Sequence, residues 1–490
     1  MRVTASDFYT YHRPSECDLR VFLREKGGNE AAPGPYEEVL FRLGQRHERA
    51  HLATFPTVLD LSGVDLLSRE QRTRKAVEQG APVIYQAVLR STPVLQGKEC
   101  ELVGEPDYLI HEAGRYVIRD SKISRRITQK DHPEILRQLE VYGWLYESVF
   151  GDPPLRLEVH SGTGDIVEVP YDRGRTALDL VSEIISLKEA ETEPHSPVGW
   201  TKCNGCGFYA RCWPRAERER HIALVSGVDQ GLARALYSVG IVTMDDLLAR
   251  FDEPRLAEFQ RPWGKGTQRV GKRAGAILRN AHALAFKEET VLQRPNVPDH
   301  PNYVMFDLEG LPPQLDELEK IYLWGLQVYG KRPSSYQAAT AGFGVNGDRE
   351  GWLGFLARAE AIFGEYGDLP FVHWHHYERV RLDMYFERFG DPNGIAARVR
   401  RNLLDLLPVT QQAMALPLPS YSLKVVERYV GFKRRLEEAN GEWAMAKYIE
   451  ATETEDEEQR VAVMDQIRAY NEDDLAATWA VLTWLKSKAV

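Results

Sequence analysis

The sequence predicts a multidomain α/β protein. At 490 residues the chain is longer than the roughly 250–300 residues at which a single hydrophobic core stops growing. Residues 1–215 mix helical periodicity with strand-like runs such as 115–119, and residues 303–490 show the same mixture. Between them, residues 216–290 have helical periodicity without strand-like alternation, and residues 291–302 are rich in proline. We therefore expect two α/β domains, a small helical module and a linker.

Composition and charge argue against a membrane protein and against binding of nucleic acid through the overall charge of the chain. Hydrophobic residues make up 43% of the chain and charged residues 27%, which is ordinary globular composition without a bilayer-spanning run. The first residues, MRVTASDFYTYHR, lack the apolar core of a signal peptide, so we expect a cytoplasmic protein with no membrane partner. Because the net charge is -10, binding to nucleic acid would require local basic surfaces. The chain has no P-loop motif, so any helicase partner would be a separate chain.

A first pair of carboxylates lies in the segment GEPDYLIHEAGRYVIRDSKI. A β-hairpin turning at residues 112–114 would bring Asp107 and Asp120 to the same end of adjacent strands, where they can share a divalent cation. Lys122 follows Asp120 by two residues and so lies on the same strand face. This set suits hydrolysis of phosphodiesters, in which a metal generates hydroxide while the lysine orients it and offsets developing charge. Asp and Lys pairs are also common on hairpin surfaces, so the spacing alone is not specific.

Flanking residues add to this pattern. His47 lies upstream on a predicted helix and is a candidate third ligand, although a single histidine is more often structural. Gln138 and Tyr142 are spaced i,i+4, so they share one face of the helix that follows the lysine strand.

In this order, the motifs resemble those of the RecB-type branch of the PD-(D/E)XK nucleases. The quoted set is G-x-x-H at 44–47, EPD at 105–107, DSK at 120–122 and Q-x-x-x-Y at 138–142. The resemblance implies a restriction-endonuclease-like core over residues 1–215. It also implies metal ligands at His47, Asp107 and Asp120, a lysine that serves the attacking water at Lys122, and DNA contacts at Gln138 and Tyr142.

The five cysteines are an odd number, which argues against a disulfide framework. Cys203, Cys206 and Cys212 lie within ten positions and Cys17 is far upstream, so a four-cysteine zinc site is the generic interpretation. One early cysteine followed by C-x-x-C-x5-C resembles the iron–sulfur staple of the AddB and CRISPR-adaptation branches of the RecB-type nucleases. The resemblance implies a structural 4Fe–4S cluster on these four cysteines, with zinc as the alternative. Cys100 has no partner in the pattern and is expected to be a buried thiol.

The segment LVSGVDQGLARALYSVGIVTMDDLL resembles a helix-hairpin-helix element. The amides of its turn at Gly227 would receive a backbone phosphate, whereas a small packing bundle without a ligand is the alternative. Residues 259–287 contain no acidic residue and these basic ones: Arg261, Lys265, Arg269, Lys272, Arg273, Arg279 and Lys287. We expect sequence-independent binding of nucleic-acid backbone here, with Lys265, Arg269, Lys272 and Arg273 as the main contacts.

A second pair of carboxylates ends the predicted strand NYVMFDLEG. Asp307 and Glu309 lie on one face of that strand and can share a metal. Tyr470 and Asp474 are one turn apart in the segment YNEDD, which we expect to open the last helix. The alternative interpretation is a set of strand-end acids, a helix N-cap at Asp473 or Asp474 and a core tyrosine.

These motifs resemble the DEDDy exonucleases of RNase H-like fold, specifically the YprB-like subgroup. The family's middle motif supplies an aspartate after an aromatic residue, but here HWHHYE places Glu378 at that position, with Asp405 as a competing ligand. The resemblance implies Mg²⁺ or Mn²⁺ bound by Asp307, Glu309, Glu378 and Asp474, and a water oriented by Tyr470.

Together, the resemblances cover nearly the whole chain and correspond to RecB-like nucleases with an appended RNase H-like domain. They predict a metal-dependent nuclease that acts on DNA, single-stranded or at ends, in repair, recombination or defence, with or without a separate partner. Two alternatives stay open. The chain is a DNA-end or partner-binding module with one or both sites degenerate, or it is an RNA-processing exonuclease.

Overall fold

The computed structural model describes residues 1–14, 16–95, 97–264, 266–312, 319–342, 344–436 and 439–488, with only the backbone at 344–345. The chain divides into two compact units, one formed by Met1–Ser196 with Lys202–Tyr209 and the other by Pro197–Thr201 with Ala210–Val490. Both contain helices and sheets, which confirms the prediction of a mixed α/β multidomain protein. In the described part of the chain, no helix combines the length and the apolar character needed to cross a bilayer.

The N-terminal unit is built around a mixed sheet. Its strands are β1 (Arg2–Thr4), β2 (Leu59–Asp60), β3 (Val83–Tyr85), β4 (Leu89–Ser91), β5 (Val94–Leu95), β6 (Lys98–Glu99), β7 (Glu101–Gly104), β8 (Tyr108–Glu112), β9 (Arg115–Ser121), β10 (Leu157–His160) and β11 (Ile166–Val169). Within the described residues the main sheet has the order β11-β10-β9-β8-β3-β2, and a smaller one has the order β1-β7-β4.

Helices cover these sheets. They are α1 (Ala5–His12), α2 (Asp18–Glu25), α3 (Pro35–Leu52), α4 (Leu66–Glu78), α5 (Pro133–Phe150) and α6 (Arg175–Glu189), while α7 (Trp200–Cys203) and α8 (Tyr209–Arg218) cross the unit boundary. Helix α5 begins at a proline, whose fixed φ suits the first turn, and ends at Gly151 in the left-handed conformation (φ 87°). Its buried face, with Leu139, Tyr142 and Leu145, joins the core of the unit.

Strands β8 and β9 form the predicted hairpin. They pair antiparallel with Tyr108 opposite Arg119, so Asp107 and Asp120 meet at the open end. The turn at Ala113 and Gly114 has positive φ at both residues (49° and 78°), as tight two-residue hairpins require. This antiparallel register therefore places both carboxylates at the same end of two adjacent, central strands of the main sheet.

The segment after residue 216 contains helices α9 (Gln230–Ser238), α10 (Met244–Arg250), α11 (Glu253–Glu258) and α12 (Ala274–Phe286), with 3-10 turns at Ile222–Leu224 and Gly271–Arg273. The prediction of an all-helical module is wrong, because β12 (Gln260–Trp263) and β13 (Gly266–Arg269) form an antiparallel hairpin and β14 (Thr290–Val291) follows. This hairpin is almost entirely exposed, so its residues do not alternate between apolar and polar and give no strand signal.

The rest of the C-terminal unit contains a sheet with the order β17-β16-β15-β18-β19 in its described residues. The strands are β15 (Asn302–Leu311), β16 (Lys320–Gly330), β17 (Gln337–Thr340), β18 (Phe371–His373), β19 (Leu403–Asp405) and β20 (Met414–Ala415). The helices are α13 (Gly344–Tyr366), α14 (Tyr377–Phe389), α15 (Ile395–Arg401), α16 (Leu406–Ala413), α17 (Leu423–Tyr429), α18 (Gly441–Glu453) and α19 (Glu457–Ser487). Strand β15 is antiparallel to β16 and parallel to β18, and helix α19 packs against it.

Helix α19 begins earlier than predicted. Its N-cap is Asp456, whose side chain accepts hydrogen bonds from the amides of Glu458 and Gln459. Residues 470–474 therefore lie in the middle of a 31-residue helix rather than at its start, and Asp473 and Asp474 are not N-caps. The acidic run at 453–458, rather than the later YNEDD, supplies the start signal.

Candidate metal centre

Strand β15 and helix α19 bring three carboxylates together in the C-terminal unit. Oxygens of Asp307, Glu309 and Asp474 all lie within 4.8 Å of one another. Asp307 and Glu309 share a strand face through the period of two, and Asp474 faces them from the buried side of α19. Across the part of the chain that the structure describes, no other set of three His, Cys, Asp or Glu ligand atoms is so close.

The electrostatics of this cluster favour a bound cation. Burial and the neighbouring Asp474 raise the pKa of both Asp307 and Glu309 well above their usual values. Three converging carboxylates are costly to keep ionised in a buried place unless a positive charge offsets them. Hard oxygen donors are the ligands that Mg²⁺ and Mn²⁺ prefer, so these residues fit a divalent metal ion.

Asn471 is a site residue that the sequence interpretation missed. Its side-chain amide donates to Asp307 Oδ2 at 2.6 Å, and its carbonyl oxygen accepts from the Tyr336 hydroxyl at 3.0 Å. Asn471 is fully buried, so its side chain is held in place. Its hydrogen bond to Asp307 therefore fixes the orientation of that carboxylate. Its position three residues before Asp474, on the same helix face, is the signal that would have indicated it.

Strand β16 makes room for this asparagine with a glycine. Gly325 lies directly opposite Asp307 in the sheet. A Cβ at Gly325 would lie 1.7 Å from Asn471 Oδ1, which is far inside van der Waals contact. The glycine is therefore required by the close approach of α19 to the sheet, and not by its backbone conformation.

Tyr470 lies one helical turn before Asp474, as predicted. Burial and the nearby Asp474 raise the pKa of its hydroxyl well above the usual value, so the phenol stays protonated at neutral pH. Two cations lie near its ring, with Lys424 Nζ at 5.3 Å and Arg434 Cζ at 5.6 Å from the centroid. The sequence interpretation assigned no role to either of these basic residues.

The middle motif is arranged differently from the three clustered acids. Strands β18 and β19 end side by side at His373 and Asp405. The buried Glu378 lies 3.2 Å from His373 Nδ1 through Oε2, and its charge contributes to the raised pKa of Asp307. Asp405 accepts from the backbone amides of His375 (2.9 Å) and Leu407 (3.1 Å), so it caps helix α16. Neither acid belongs to the cluster of three within 4.8 Å.

In the N-terminal unit the hairpin end holds Asp107, Asp120 and Lys122. Lys122 Nζ lies 2.9 Å from Asp120 Oδ2, and Asp107 Oδ2 accepts from the amide of Ser121 at 2.8 Å. Burial and the neighbouring Asp120 raise the pKa of Asp107 well above its usual value. Burial opposes the charge of Lys122, but Asp120 and Asp107 outweigh it and raise the pKa of the ammonium, which stays cationic.

Two further residues complete this arrangement and were missed from sequence. The side-chain amide of Gln86 donates to Glu48 Oε1 at 2.7 Å and to Asp107 Oδ1 at 3.2 Å. The negative charge of Glu48 contributes to the raised pKa values of both Asp107 and Lys122. Gln86 has a left-handed backbone (φ 57°), uncommon for a residue with a side chain. Glu48 follows His47 on helix α3 and is linked to Asp107 through the side-chain amide of Gln86.

Gln138 and Tyr142 support Asp120 from helix α5. The Gln138 amide donates to Asp120 Oδ2 at 3.0 Å and to the Tyr142 hydroxyl at 2.7 Å. Tyr142 is 2% exposed and lies under Gly104, where a Cβ would come within 2.6 Å of its ring. The expectation that Tyr142 contacts DNA is therefore corrected, because its ring is enclosed by the core.

His47 belongs to a stack of three imidazoles. Its ring lies 4.3 Å from that of His160, which lies 3.9 Å from that of His51, with nearly parallel planes. His47 Nε2 is 3.4 Å from the backbone oxygen of His160. Burial and the neighbouring His47 lower the pKa of His160 to about 4, and burial and His160 lower that of His51 to about 4.

This stack predicts a loss of stability in mild acid. Between about pH 6.5 and pH 4, His51 and His160 are protonated in the unfolded chain but stay neutral in the folded protein. The free energy of unfolding therefore falls as the pH is lowered through this range. In thermal melts of the full chain, the midpoint of the N-terminal unit should drop between pH 7 and pH 5. A His51→Gln variant should show a shallower pH dependence, whereas His111→Gln, at an exposed position, should keep the wild-type slope. Equal slopes in all three proteins would contradict this explanation.

None of the five cysteines, all of which lie in the described part of the chain, forms a disulfide. Cys17, Cys203 and Cys206 belong to the N-terminal unit and Cys212 to the C-terminal unit. Cys17 Sγ lies 3.4 Å from Ser196 Oγ, and burial, with a contribution from Cys17, raises the pKa of Cys206. Cys100 is buried, as predicted.

The segment 259–287 exposes part of its positive charge. Arg269, Lys272 and Arg273 are exposed, and Lys265 lies outside the described residues. Arg261 is buried and ion-paired with Asp229, so it holds the hairpin to helix α9 instead of facing solvent. Gly227, in the turn before α9, has a positive φ of 96°.

Comparisons with known proteins identify one part of the chain. No curated protein matches it significantly. A solved structure titled "Crystal structure of SSO0001" covers 43% of this chain and 85% of its own at 16% identity, with a TM-score of 0.23, which is too weak a likeness to support an argument. Residues 304–486 match the family model of the RNase H superfamily, whose nucleases use divalent metal ions. The predicted RNase H-like C-terminal domain is thereby confirmed, and it contains the three clustered carboxylates.

Proposed function

We propose that this protein is a divalent-metal-dependent nuclease whose RNase H-like domain hydrolyses phosphodiester bonds in the manner of the DEDDy exonucleases. The observation that supports this most is the convergence of Asp307, Glu309 and Asp474 within 4.8 Å in that domain. Burial and Asp474 raise the pKa of Asp307, and a bound cation would offset this repulsion among the three acids.

Each residue of this site has a separate proposed role. Asp307, Glu309 and Asp474 hold the metal, with Glu378 proposed as a further ligand once it leaves His373. A bound divalent ion supplies a water of lowered pKa and offsets charge on the phosphate. Asn471 keeps the Asp307 carboxylate in one orientation through its 2.6 Å hydrogen bond. The protonated Tyr470 hydroxyl orients the attacking water.

For the N-terminal unit we propose a second hydrolytic site of PD-(D/E)XK type. Asp107 and Asp120 meet at the hairpin end, Lys122 stays cationic beside them, and Glu48 adds a third carboxylate to the metal-binding set. Gln138 orients Asp120 through a 3.0 Å hydrogen bond. His47 remains a weaker candidate ligand, because its ring packs in the imidazole stack.

The four cysteines, Cys17, Cys203, Cys206 and Cys212, are proposed to bind a structural 4Fe–4S cluster, with zinc as the alternative. A protein purified without oxygen should be brown and contain about four irons and four sulfides per chain. A colourless protein with one equivalent of zinc would contradict the cluster.

We propose that residues 216–290 bind the backbone of single-stranded DNA, with the turn at Gly227 acting as a helix-hairpin-helix element. Exposed Arg269, Lys272 and Arg273 provide positive charge near the β12–β13 hairpin. Trp263 on this hairpin is 61% exposed, and the Arg261 guanidinium lies 4.7 Å from its ring. A rigidly supported, exposed indole beside basic residues suits stacking on an unpaired base.

Replacing Trp263 by alanine should weaken binding of an oligo(dT) strand by about fivefold to a hundredfold, since base stacking contributes about 1–3 kcal/mol. Fluorescence anisotropy with the Lys122→Ala/Asp307→Asn protein, in which both proposed sites are inactivated, avoids degradation of the strand. A Trp263→Phe variant should retain most of the affinity, and Val461→Ala, at another exposed apolar position of the same unit, should match the parent. Equal affinities of Trp263→Ala and the parent for the strand would contradict the proposal that Trp263 stacks on a base.

The proposed activity is tested with end-labelled single- and double-stranded DNA and RNA in Mg²⁺ or Mn²⁺. Lys122→Ala should lose the N-terminal activity and keep the C-terminal one, while Lys130→Ala, an exposed lysine, should resemble wild type. Preference for RNA over DNA would favour the RNA-processing alternative. Binding of DNA ends without cleavage under every condition would favour a module whose sites are degenerate, for which the pairing of Glu378 with His373 is the supporting observation.

A further inference from the structure

A buried arginine lies beside the three clustered carboxylates of the C-terminal domain. Arg434 Nε and Nη2 donate to the two carboxylate oxygens of Glu427 at 2.6 and 2.7 Å. The side chains are 5% and 2% exposed, respectively. This two-point pairing fixes the plane of the guanidinium, and Glu427 offsets its charge in a place that water does not reach.

The other side of the guanidinium faces the metal ligands. Its Nη2 also donates to Asp474 Oδ1, and its positive charge acts on Asp307 and Glu309 as well. Nη1 is buried and has no hydrogen-bond partner among the described residues. A buried N–H without a partner is uncommon in proteins and calls for an explanation such as a ligand that is bound during function.

The negative charge of the three carboxylates explains why a site that acts on phosphate would need a nearby cation. Asp307, Glu309 and Asp474 repel the phosphate that they must act upon, and Lys424 and Arg434 are the cations that border them near Tyr470. A guanidinium presents several donors in a planar fork that matches phosphate oxygens. Because Glu427 anchors one edge of Arg434, the other edge stays available near Asp474.

We propose that Arg434 is the phosphate-binding residue of this site, which holds Asp474 in the absence of ligand and binds a non-bridging oxygen of the substrate phosphate when a metal ion takes over that carboxylate. The proposal rests on the proposed nuclease function of the domain. It assigns Glu427 as a positioning residue, because its carboxylate acts on substrate only through Arg434.

The test measures binding of Mn²⁺ alone, of thymidine 5′-monophosphate with Mn²⁺, and of thymidine with Mn²⁺, by calorimetry on the full chain. The double variant Glu427→Gln/Arg434→Gln replaces the pair by neutral groups of similar size, so neither residue leaves the charge of the other buried and unpaired. Asp474 loses its arginine partner in this variant and relies on the bound Mn²⁺ to offset its charge. It should bind Mn²⁺ at least as tightly as wild type, because a neighbouring positive charge is removed. It should bind the monophosphate at least about tenfold more weakly, with little change for thymidine. Arg428→Gln, at an exposed arginine of helix α17, which also contains Glu427, should match wild type in all three titrations.

Unchanged affinity for the monophosphate would overturn the proposal. Equal weakening of Mn²⁺ and monophosphate binding would also overturn it, because Arg434 would then act only by orienting Asp474. If the double variant does not fold, Arg434→Lys decides, since its ammonium keeps the charge beside Glu427 but lacks the planar fork that can pair with Glu427 along one edge and with phosphate along the other. It should retain Mn²⁺ binding and lose monophosphate affinity, and normal monophosphate binding would overturn the proposal. A different result would separate this proposal from the proposed nuclease function. If the variants lose monophosphate affinity as expected but the wild-type protein cleaves no nucleic acid, the nuclease function is refuted and the phosphate site stands.

Discussion

The Asp307→Asn variant is expected to lose Mn²⁺-dependent cleavage by the C-terminal domain by about a thousandfold or more, equivalent to roughly 4 kcal/mol of transition-state stabilisation. The substitution removes one charged oxygen ligand from the cluster of three within 4.8 Å. The rate is measured on end-labelled oligonucleotides in a Lys122→Ala background, so that the N-terminal site does not contribute.

Without metal, the same variant is expected to melt at the same temperature as its parent or higher. Burial and Asp474 raise the pKa of Asp307, so ionisation of this carboxyl at neutral pH destabilises the folded state and a neutral amide relieves the repulsion. Asp299→Asn, at a fully exposed carboxylate of the same unit, should change neither activity nor melting temperature. A large drop in melting temperature without metal would show that Asp307 is structural.

The Gly325→Ala variant is expected to lose about 1–3 kcal/mol of stability, and more if the sheet cannot shift, together with most of the C-terminal activity. The added methyl group would lie 1.7 Å from Asn471 Oδ1 and 2.8 Å from its Cγ, so Asn471 must leave Asp307. Chemical denaturation gives the free energy of unfolding, and the oligonucleotide assay gives the rate.

Two further variants separate the steric effect from a general effect of alanine. Gly364→Ala has no atom within 4 Å of the new methyl group and should be neutral or slightly stabilising in helix α13. Asn471→Ala in the Gly325→Ala background removes the clashing atoms and should restore part of the stability but not the activity. If the double variant is as unstable as Gly325→Ala, the clash with Asn471 is not the cause.

The backbone pairings near both sites were predictable from the sequence because they depend on local period. Asp307 and Glu309 share a face of β15, and Asp107 and Asp120 meet at the end of the β8–β9 hairpin. A period of two fixes such placements before any tertiary contact is known.

The partners that orient these acids were not predictable in the same way. Asn471, Gln86 and Arg434 acquire their roles only when distant segments pack, as in the bond between Asn471 and Asp307, 164 positions apart. The exposed β12–β13 hairpin lacked an apolar period, and burial of Tyr142 depends on the small Gly104 that lies over its ring. The hydrogen-bond partners of the acids, and the burial of Tyr142, therefore depend on tertiary packing, which sequence periodicity does not specify.

The most direct test of the metal-dependent C-terminal site compares two proteins in one assay. Lys122→Ala and Lys122→Ala/Asp307→Asn are incubated with a strand labelled at its 5′ end and Mn²⁺, and product lengths are followed in time. We predict that the single variant degrades the strand to progressively shorter products and that the double variant leaves it intact. Cleavage that persists unchanged in the double variant would contradict the assignment of Asp307, Glu309 and Asp474 as the reactive centre.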